Sequence, residues 1–253
     1  MKNFTQIILF FSFILSVGCS KKDHAKITVA TAANMQFAIQ EIVKSFTEQT
    51  GISCDIVIGS SGKLTAQIKE GAPYDIFISA DTKYPKALYT QGFATSPPEI
   101  YAHGSLILWS ISDTLRPNLK FLDKDYIQHI ALANPKTAPY GEAAISVLKH
   151  YDIYPQIQNK LVYGESISQT NQFIVSGAAQ VGFTTKSVVL SPQMKGKGNW
   201  ISIPKNSYTP IAQAVILIQK EKVSKNATKF YEYLFSLKSK EILENFGYLV
   251  TEK

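Results

Sequence analysis

The feature that most constrains this chain is a repeated alternation of short apolar runs with longer amphipathic stretches. Ile27-Thr28-Val29-Ala30 predicts a strand, and Met35, Ile39, Ile42, Val43 and Phe46 then recur at helical spacing up to Thr50-Gly51. Ser53 to Ile58 reads as a second strand, Leu64 to Glu70 as a helix closed by Gly71-Ala72-Pro73, and Tyr74 to Ser79 as a third strand. Parallel strands need a long crossover, so the order β-α-β-α-β implies a mostly parallel sheet with helices packed on its faces. The same rhythm returns later. Ile130 to Ala133, Leu161 to Tyr163 and Val181 to Thr184 predict strands, separated by helices over Glu142 to His150 and Ser168 to Ser176.

Two long apolar runs, Leu106 to Ser110 and Ala212 to Ile218, separate or follow these blocks and suit strands that cross between them. Helices over Asn226 to Leu237 and Lys240 to Phe246 complete the chain. The expected fold class is therefore α/β with two lobes, each a mostly parallel sheet flanked by helices, joined by two crossing strands. The first lobe is expected to comprise residues 26–105 plus 212–253, and the second residues 106–211.

Composition agrees with such a fold. A chain of 253 residues that is 45% hydrophobic can bury one large core or two smaller ones. Its 18% charged residues and ordinary glycine and proline counts exclude a disordered tail, a collagenous repeat and a disulfide-stapled miniprotein. The formal charge of +7 is scattered without a basic stripe, which argues for solubility and against nucleic-acid binding.

The first residues read as a targeting segment. Lys2 precedes an almost wholly apolar run, Ile7 to Leu15, about half the ~20 residues that a spanning helix needs. Residues 1–18 are expected to be a signal peptide. Ser16-Val17-Gly18-Cys19 resembles the bacterial lipoprotein signal, in which the cysteine is lipid-modified, although Leu15 stands one place further from Cys19 than that pattern prefers. Ordinary cleavage nearby, leaving a soluble secreted protein, is the alternative. Residues 19–25 would form a polar tether to the membrane. Cys54 is the only other cysteine and sits in an apolar alternation, so a small buried hydrophobe is expected there and a Cys19–Cys54 disulfide is the competing use.

Chemistry is expected on the loops after the strands, where helix N-termini offer free N–H groups. These are Thr31-Ala32-Ala33-Asn34, Gly59-Ser60-Ser61-Gly62, Asn134 to Gly141 and Gly164-Glu165-Ser166-Ile167. They supply hydroxyls, an amide and small residues rather than catalytic carboxylates or histidines, a set suited to a compact oxyanion held by neutral donors. Singly, each is an ordinary turn or cap. Four in series point to one shared site between the lobes. A phosphate-binding P-loop fails at Gly62-Lys63, because Val57 and Leu64 stand where Gly and Ser or Thr are required. No histidine pair has metal-ligand spacing and no Gly-x-Ser-x-Gly elbow exists.

The order Ala32-Ala33-Asn34, then Gly59 to Ile68, then Gly71-Ala72-Pro73-Tyr74-Asp75-Ile76-Phe77-Ile78-Ser79-Ala80-Asp81 resembles the molybdate-binding proteins of bacterial ABC importers, as do Asn134 to Gly141 and Gly164 to Gln169. The resemblance runs from about Ile27 to Val250. It implies a two-lobed periplasmic-binding-protein fold of type II and a ligand, molybdate or tungstate, held through Asn34, Ser61, Tyr140 and the backbone of Ile167. Ser60 is adjacent to the family's serine position and is the alternative to Ser61, and Thr185 stands where some members of the family use a Tyr hydroxyl. The molybdenum or tungsten would have no direct protein ligand. The resemblance further implies an importer permease with its ATPase as partner, a periplasmic or extracytoplasmic place, no cofactor, no enzymatic activity and a monomer. A receptor for sulfate or another tetrahedral oxyanion, and an enzyme on the same fold, are the alternatives. Asp75 and Asp81 are expected to be structural or partner-facing, and Glu142 and Glu165 to face outward, since a carboxylate would repel a dianion.

Overall fold

The computed structural model describes residues 26–250; the expected signal peptide, Cys19 and the whole tether lie outside the described residues. The described chain begins with β1 (Ile27–Ala32), α1 (Gln36–Thr50), β2 (Cys54–Gly59), α2 (Ser61–Lys69), β3 (Ile76–Ile78), α3 (Lys83–Thr90) and β4 (Glu99–Gly104). It continues through β5 (Leu106–Ser110), β6 (Ile130–Ala133), α4 (Pro139–His150), α5 (Tyr154–Ile157), β7 (Leu161–Gly164), α6 (Ile167–Val175) and β8 (Val181–Thr185). The last elements are α7 (Lys186–Val189), β9 (Asn199–Ser202), β10 (Ile211–Leu217), α8 (Lys225–Leu234) and α9 (Leu237–Asn245).

The strands form two five-stranded sheets with the same plan, β2-β1-β3-β10-β4 and β7-β6-β8-β5-β9. In each, the first three strands pair in parallel and the fourth is antiparallel to both neighbours, so four of the five strands share one direction. The fold is the expected two-lobed α/β architecture. The reversed strands, β5 and β10, are the ones the chain enters directly after changing sheets. Ser105 alone makes the first change; residues 203–210 make the second. The run Leu106 to Ser110 therefore does not itself cross. It pairs with β8 and β9 along its length, wholly within the second sheet.

Burial follows periodicity. Helix α1 buries Ala38, Ile39, Ile42 and Phe46, one face at a 3.6-residue period, and ends at Gly51, whose φ of 71° suits a residue without Cβ. Phe46 meets the ring of Phe230 edge-on with centroids 5.0 Å apart, closing the first lobe between α1 and α8. Strand β2 lies at a sheet edge, so Cys54 is half-buried rather than buried; burial and the Asp55 charge push its thiol up to about 12.

Three elements carry weak sequence signals: α3 holds Pro85 near its start, β4 follows Pro97-Pro98, and β9 is an exposed or half-exposed edge strand. Among the described residues no helix is long and apolar enough to cross a membrane.

Candidate functional site

The strands β1, β2, β6 and β7 each run into a helix start at the same place, where the two lobes meet. A small cavity of about 10 Å³ lies there. The first lobe lines it with Ala32, Ala33, Asn34, Ser60, Ser61 and Ala80, and the second with Ala138, Pro139, Tyr140 and Ile167. The structure thus brings Asn34, Ser60, Ser61, Tyr140 and Ile167 together. Thr185 does not line the cavity; it stands behind Tyr140.

The helices begin earlier than periodicity alone suggests, and this decides what faces the cavity. Ser60 is the N-cap of α2, its Oγ accepting from the Lys63 N–H at 3.4 Å, so Ser61 is the first residue of the helix. Pro139 opens α4 at a position where its missing N–H is no loss, which makes Tyr140 the first N–H of that helix; Ile167 is the first of α6. First-turn N–H groups have no acceptor within their own helix and carry the positive end of the helix dipole, about half an elementary charge. Three such ends converge on the cavity.

Ser61 is the clearest side-chain donor. Its Oγ accepts from the Ala80 N–H at 3.1 Å, which fixes the oxygen and leaves the hydroxyl proton to be donated. Asn34 is arranged differently. Its Nδ2 donates to Gln213 Oε1 at 2.7 Å and to Tyr248 Oη at 3.1 Å, while its Oδ1 is buried without a partner. The Tyr140 hydroxyl accepts from Thr185 Oγ1 at 3.1 Å and Gln213 Nε2 at 3.4 Å, and any side chain at Gly104 would collide with it. Burial pushes the phenols of Tyr101, Tyr140 and Tyr248 above their ordinary range, so all three are neutral at physiological pH.

Among the described residues no carboxylate lines this cavity. Asp75 is structural, accepting from the Thr28 N–H at 2.7 Å and pairing with Lys220 at 2.6 Å. Glu142 and Glu165 face outward and pair across the cleft with Lys83 at 3.7 Å and Lys63 at 3.3 Å. Such half-exposed pairs contribute about 0–1 kcal/mol each. A larger crevice next door, about 230 Å³ in volume, shares Ala80 and Pro139 with the cavity but is lined by Asp81 and Glu142 beside Lys83. Burial raises the Asp81 pKa against the opposing bonds from Tyr84 and Ser79. Its size is greater, yet its carboxylates make it the poorer anion site. Among the described residues no group of His, Cys, Asp and Glu side chains could hold a metal ion.

The lobes are closed on one another. The Gly62 N–H donates to Thr137 O at 2.9 Å, Ser168 Oγ to Gln36 Oε1 at 2.6 Å, and Ser187 Oγ to Asn34 O at 2.8 Å. Gly62 is required for this approach, because a Cβ there would lie 2.8 Å from Tyr84 Oη and 3.0 Å from Thr137 Cα.

Sequence reasoning missed Gln213, Tyr101 and Tyr248, which form the hydrogen-bonded group behind Asn34. The available signal was Gln213 itself, a lone amide inside an otherwise apolar strand.

Two similar lobes closing on a small cavity of neutral donors define a solute-binding protein. The chain belongs to the family described as bacterial extracellular solute-binding protein, whose profile matches residues 27–249. It is 36% identical over 228 residues to the molybdate-binding protein ModA of Rhodobacter capsulatus, covering 90% of this chain and 89% of that protein. Its identity to ModA of Azotobacter vinelandii is 34% over 227 residues, covering 88% and 90%. The solved Azotobacter vinelandii periplasmic molybdate-binding protein superposes with a TM-score of 0.84, covering 89% of this chain and all of that one. The sulfate-binding protein SubI of Mycobacterium tuberculosis superposes at 0.73 with 12% identity, covering 90% of this chain and 87% of that one, a likeness of fold alone.

Proposed function

We propose that this protein captures molybdate, and tungstate with it, in the interlobe cavity and delivers it to an ABC importer's permease and ATPase. The observation that carries the assignment is the cavity wall: first-turn N–H groups of Ser61, Tyr140 and Ile167 and the Ser61 hydroxyl, with no carboxylate among its lining residues. A doubly charged tetrahedron with no proton to donate needs donors only, and a wall without a carboxylate to accept a proton disfavours a protonated phosphate. The relatives named as molybdate-binding proteins support the same choice. Residues 26–105 plus 212–253 act as one lobe and 106–211 as the other. The anion leaves unchanged, without catalysis. The protein works outside the cytoplasm as a monomer, held to a membrane by lipid on Cys19.

Because donors come from both lobes, the anion binds the closed form and stabilises it. At an anion concentration 100 times the dissociation constant, linkage gives about 2.7 kcal/mol, or a melting shift of about 5–11 °C for a chain of this size. Calorimetric titration and thermal melting of protein freed of bound anion test this. Molybdate and tungstate should produce the shift and sulfate or phosphate little. An equal response to sulfate would refute the molybdate assignment, and no response to any tetrahedral anion would refute an oxyanion receptor altogether.

A further inference from the structure

Gln213 is fully buried at the irregularity where β10 slips against β4, and it touches site residues from both lobes. Its Oε1 accepts from Asn34 Nδ2 at 2.7 Å and from the Tyr101 hydroxyl at 2.9 Å; its Nε2 donates to the Tyr140 hydroxyl at 3.4 Å. In this arrangement the hydrogen-bond inventory does not close. Both N–H groups of Asn34 point into the protein, toward Gln213 and Tyr248, and Asn34 Oδ1 has no donor. Oxygen is then the end of the Asn34 amide left over at a wall meant for an anion. The Tyr140 hydroxyl receives from both Thr185 and Gln213 and has no acceptor for its own proton.

An amide's oxygen and nitrogen ends are nearly the same shape, so hydrogen bonding rather than packing decides which way each one faces. Turning both amides by half a turn moves no heavy-atom position. Gln213 Nε2 then donates to Asn34 Oδ1 and to the Tyr101 hydroxyl, which gives up its own acceptor, while Gln213 Oε1 accepts the Tyr140 proton and Asn34 Nδ2 is presented to the cavity. The Tyr248 hydroxyl must then swing its proton from Asn34 O to Asn34 Oδ1, 3.1 Å away, while Asn34 O keeps the 2.8 Å bond from Ser187 Oγ. Neither amide can turn alone without setting two oxygens or two N–H₂ groups against each other at 2.7 Å.

We propose that Gln213 is the positioning residue of the site: it turns together with Asn34, so that an anion is met by Asn34 Nδ2 and the Tyr140 hydroxyl gains an acceptor in the same step. This rests on the oxyanion-receptor assignment and adds to it a residue that touches no ligand. The change is rotational, needs no backbone movement, and joins β10 of the first lobe to α4 of the second.

A double-mutant cycle tests it, with molybdate as probe. Gln213→Met in the native background should weaken binding about tenfold, as expected when a hydrogen bond to a charged group is lost. In the Asn34→Ala background the same substitution should change affinity by less than about twofold, because Gln213 acts through Asn34. The same factor in both backgrounds would mean that Gln213 only packs, and would overturn the proposal. A second measurement needs no variant. On titrating molybdate into isotope-labelled native protein, the side-chain amide resonances of Asn34 and Gln213 should shift together. An Asn34 shift with Gln213 unmoved would overturn it. Native protein that binds no tetrahedral anion would instead remove the receptor assignment and this proposal together.

Discussion

Gly62→Ala should separate folding from closure. Gly62 lies in the first turn of α2 with ordinary helical backbone, so in the open protein alanine is the better helix former, by up to about 1 kcal/mol. In the closed protein its Cβ would stand 3.0 Å from Thr137 Cα and 3.1 Å from Thr137 Cβ, on the opposite side of the cleft. Backbone at that distance cannot swing aside as a flexible side-chain tip can. Relieving the contact strains or loses the 2.9 Å bond from the Gly62 N–H to Thr137 O. Overpacking of this kind costs about 1–3 kcal/mol and a net hydrogen bond about 1 kcal/mol. A closed form raised by about 2–3 kcal/mol corresponds to molybdate affinity weakened ~30- to 150-fold. Titration calorimetry reads the affinity, and a melting curve of the anion-free variant reads the fold. The expected pair of results has opposite signs: weaker binding with unchanged or slightly higher anion-free stability. Affinity within twofold of native would refute the idea that closure brings these two backbones together, and a large loss of anion-free stability would refute the separation of the two effects.

Ser61→Ala removes the hydroxyl that Ala80 holds in place and should cost ~1.5–3 kcal/mol of anion binding, measured by titration; an unchanged affinity would mean the proton points elsewhere. Buried Tyr101, Tyr140 and Tyr248 keep their protons more tightly folded than unfolded, so their contribution to stability is full below about pH 10 and lost as pH rises beyond it. Denaturant melts from pH 8 to 11 should show that fall, alongside phenolate absorbance that appears only with unfolding; stability that holds through pH 11 would contradict it. Cys19→Ala should release the protein from membranes, read by fractionation and by the loss of a lipid mass. Phe46→Ala, which empties the seat against Phe230, should destabilise the first lobe by ~3–5 kcal/mol in denaturant melts.

How much of this was legible in the sequence follows from which interactions are local. Strand and helix periods are local, so β1, α1, β2 and β3 could be read from Ile27 onward, and α1 ends where Thr50-Gly51 says it should. The site loops were legible for the same reason, since helix starts carry caps such as Ser60. What those loops aim at the cavity was harder. Reading Ser61 and Tyr140 as loop residues hides that their N–H groups belong to first turns, and this depends on where each helix begins. Elements supported by few inward residues escaped: α3 buries only Pro85 and Leu88, and β9 buries nothing fully. The links among Asn34, Gln213 and Tyr248 span 179 and 214 residues of chain and leave no periodic trace. A lone Gln in an apolar strand shows that something polar must meet it, but not what.

The neutrality of the cavity wall also sets how the cargo can be unloaded. A carboxylate- or histidine-gated site lets go when protons arrive, so its owner can release by moving to a more acid compartment. The lining residues here offer no such handle: the only titratable one is Tyr140, whose pKa burial pushes well above 10. No change of pH in the ordinary range alters these lining donors. Unloading is therefore a mechanical act. It requires the backbones at Gly62 and Thr137 to be drawn apart, and the work of doing so falls on whatever machine receives the cargo.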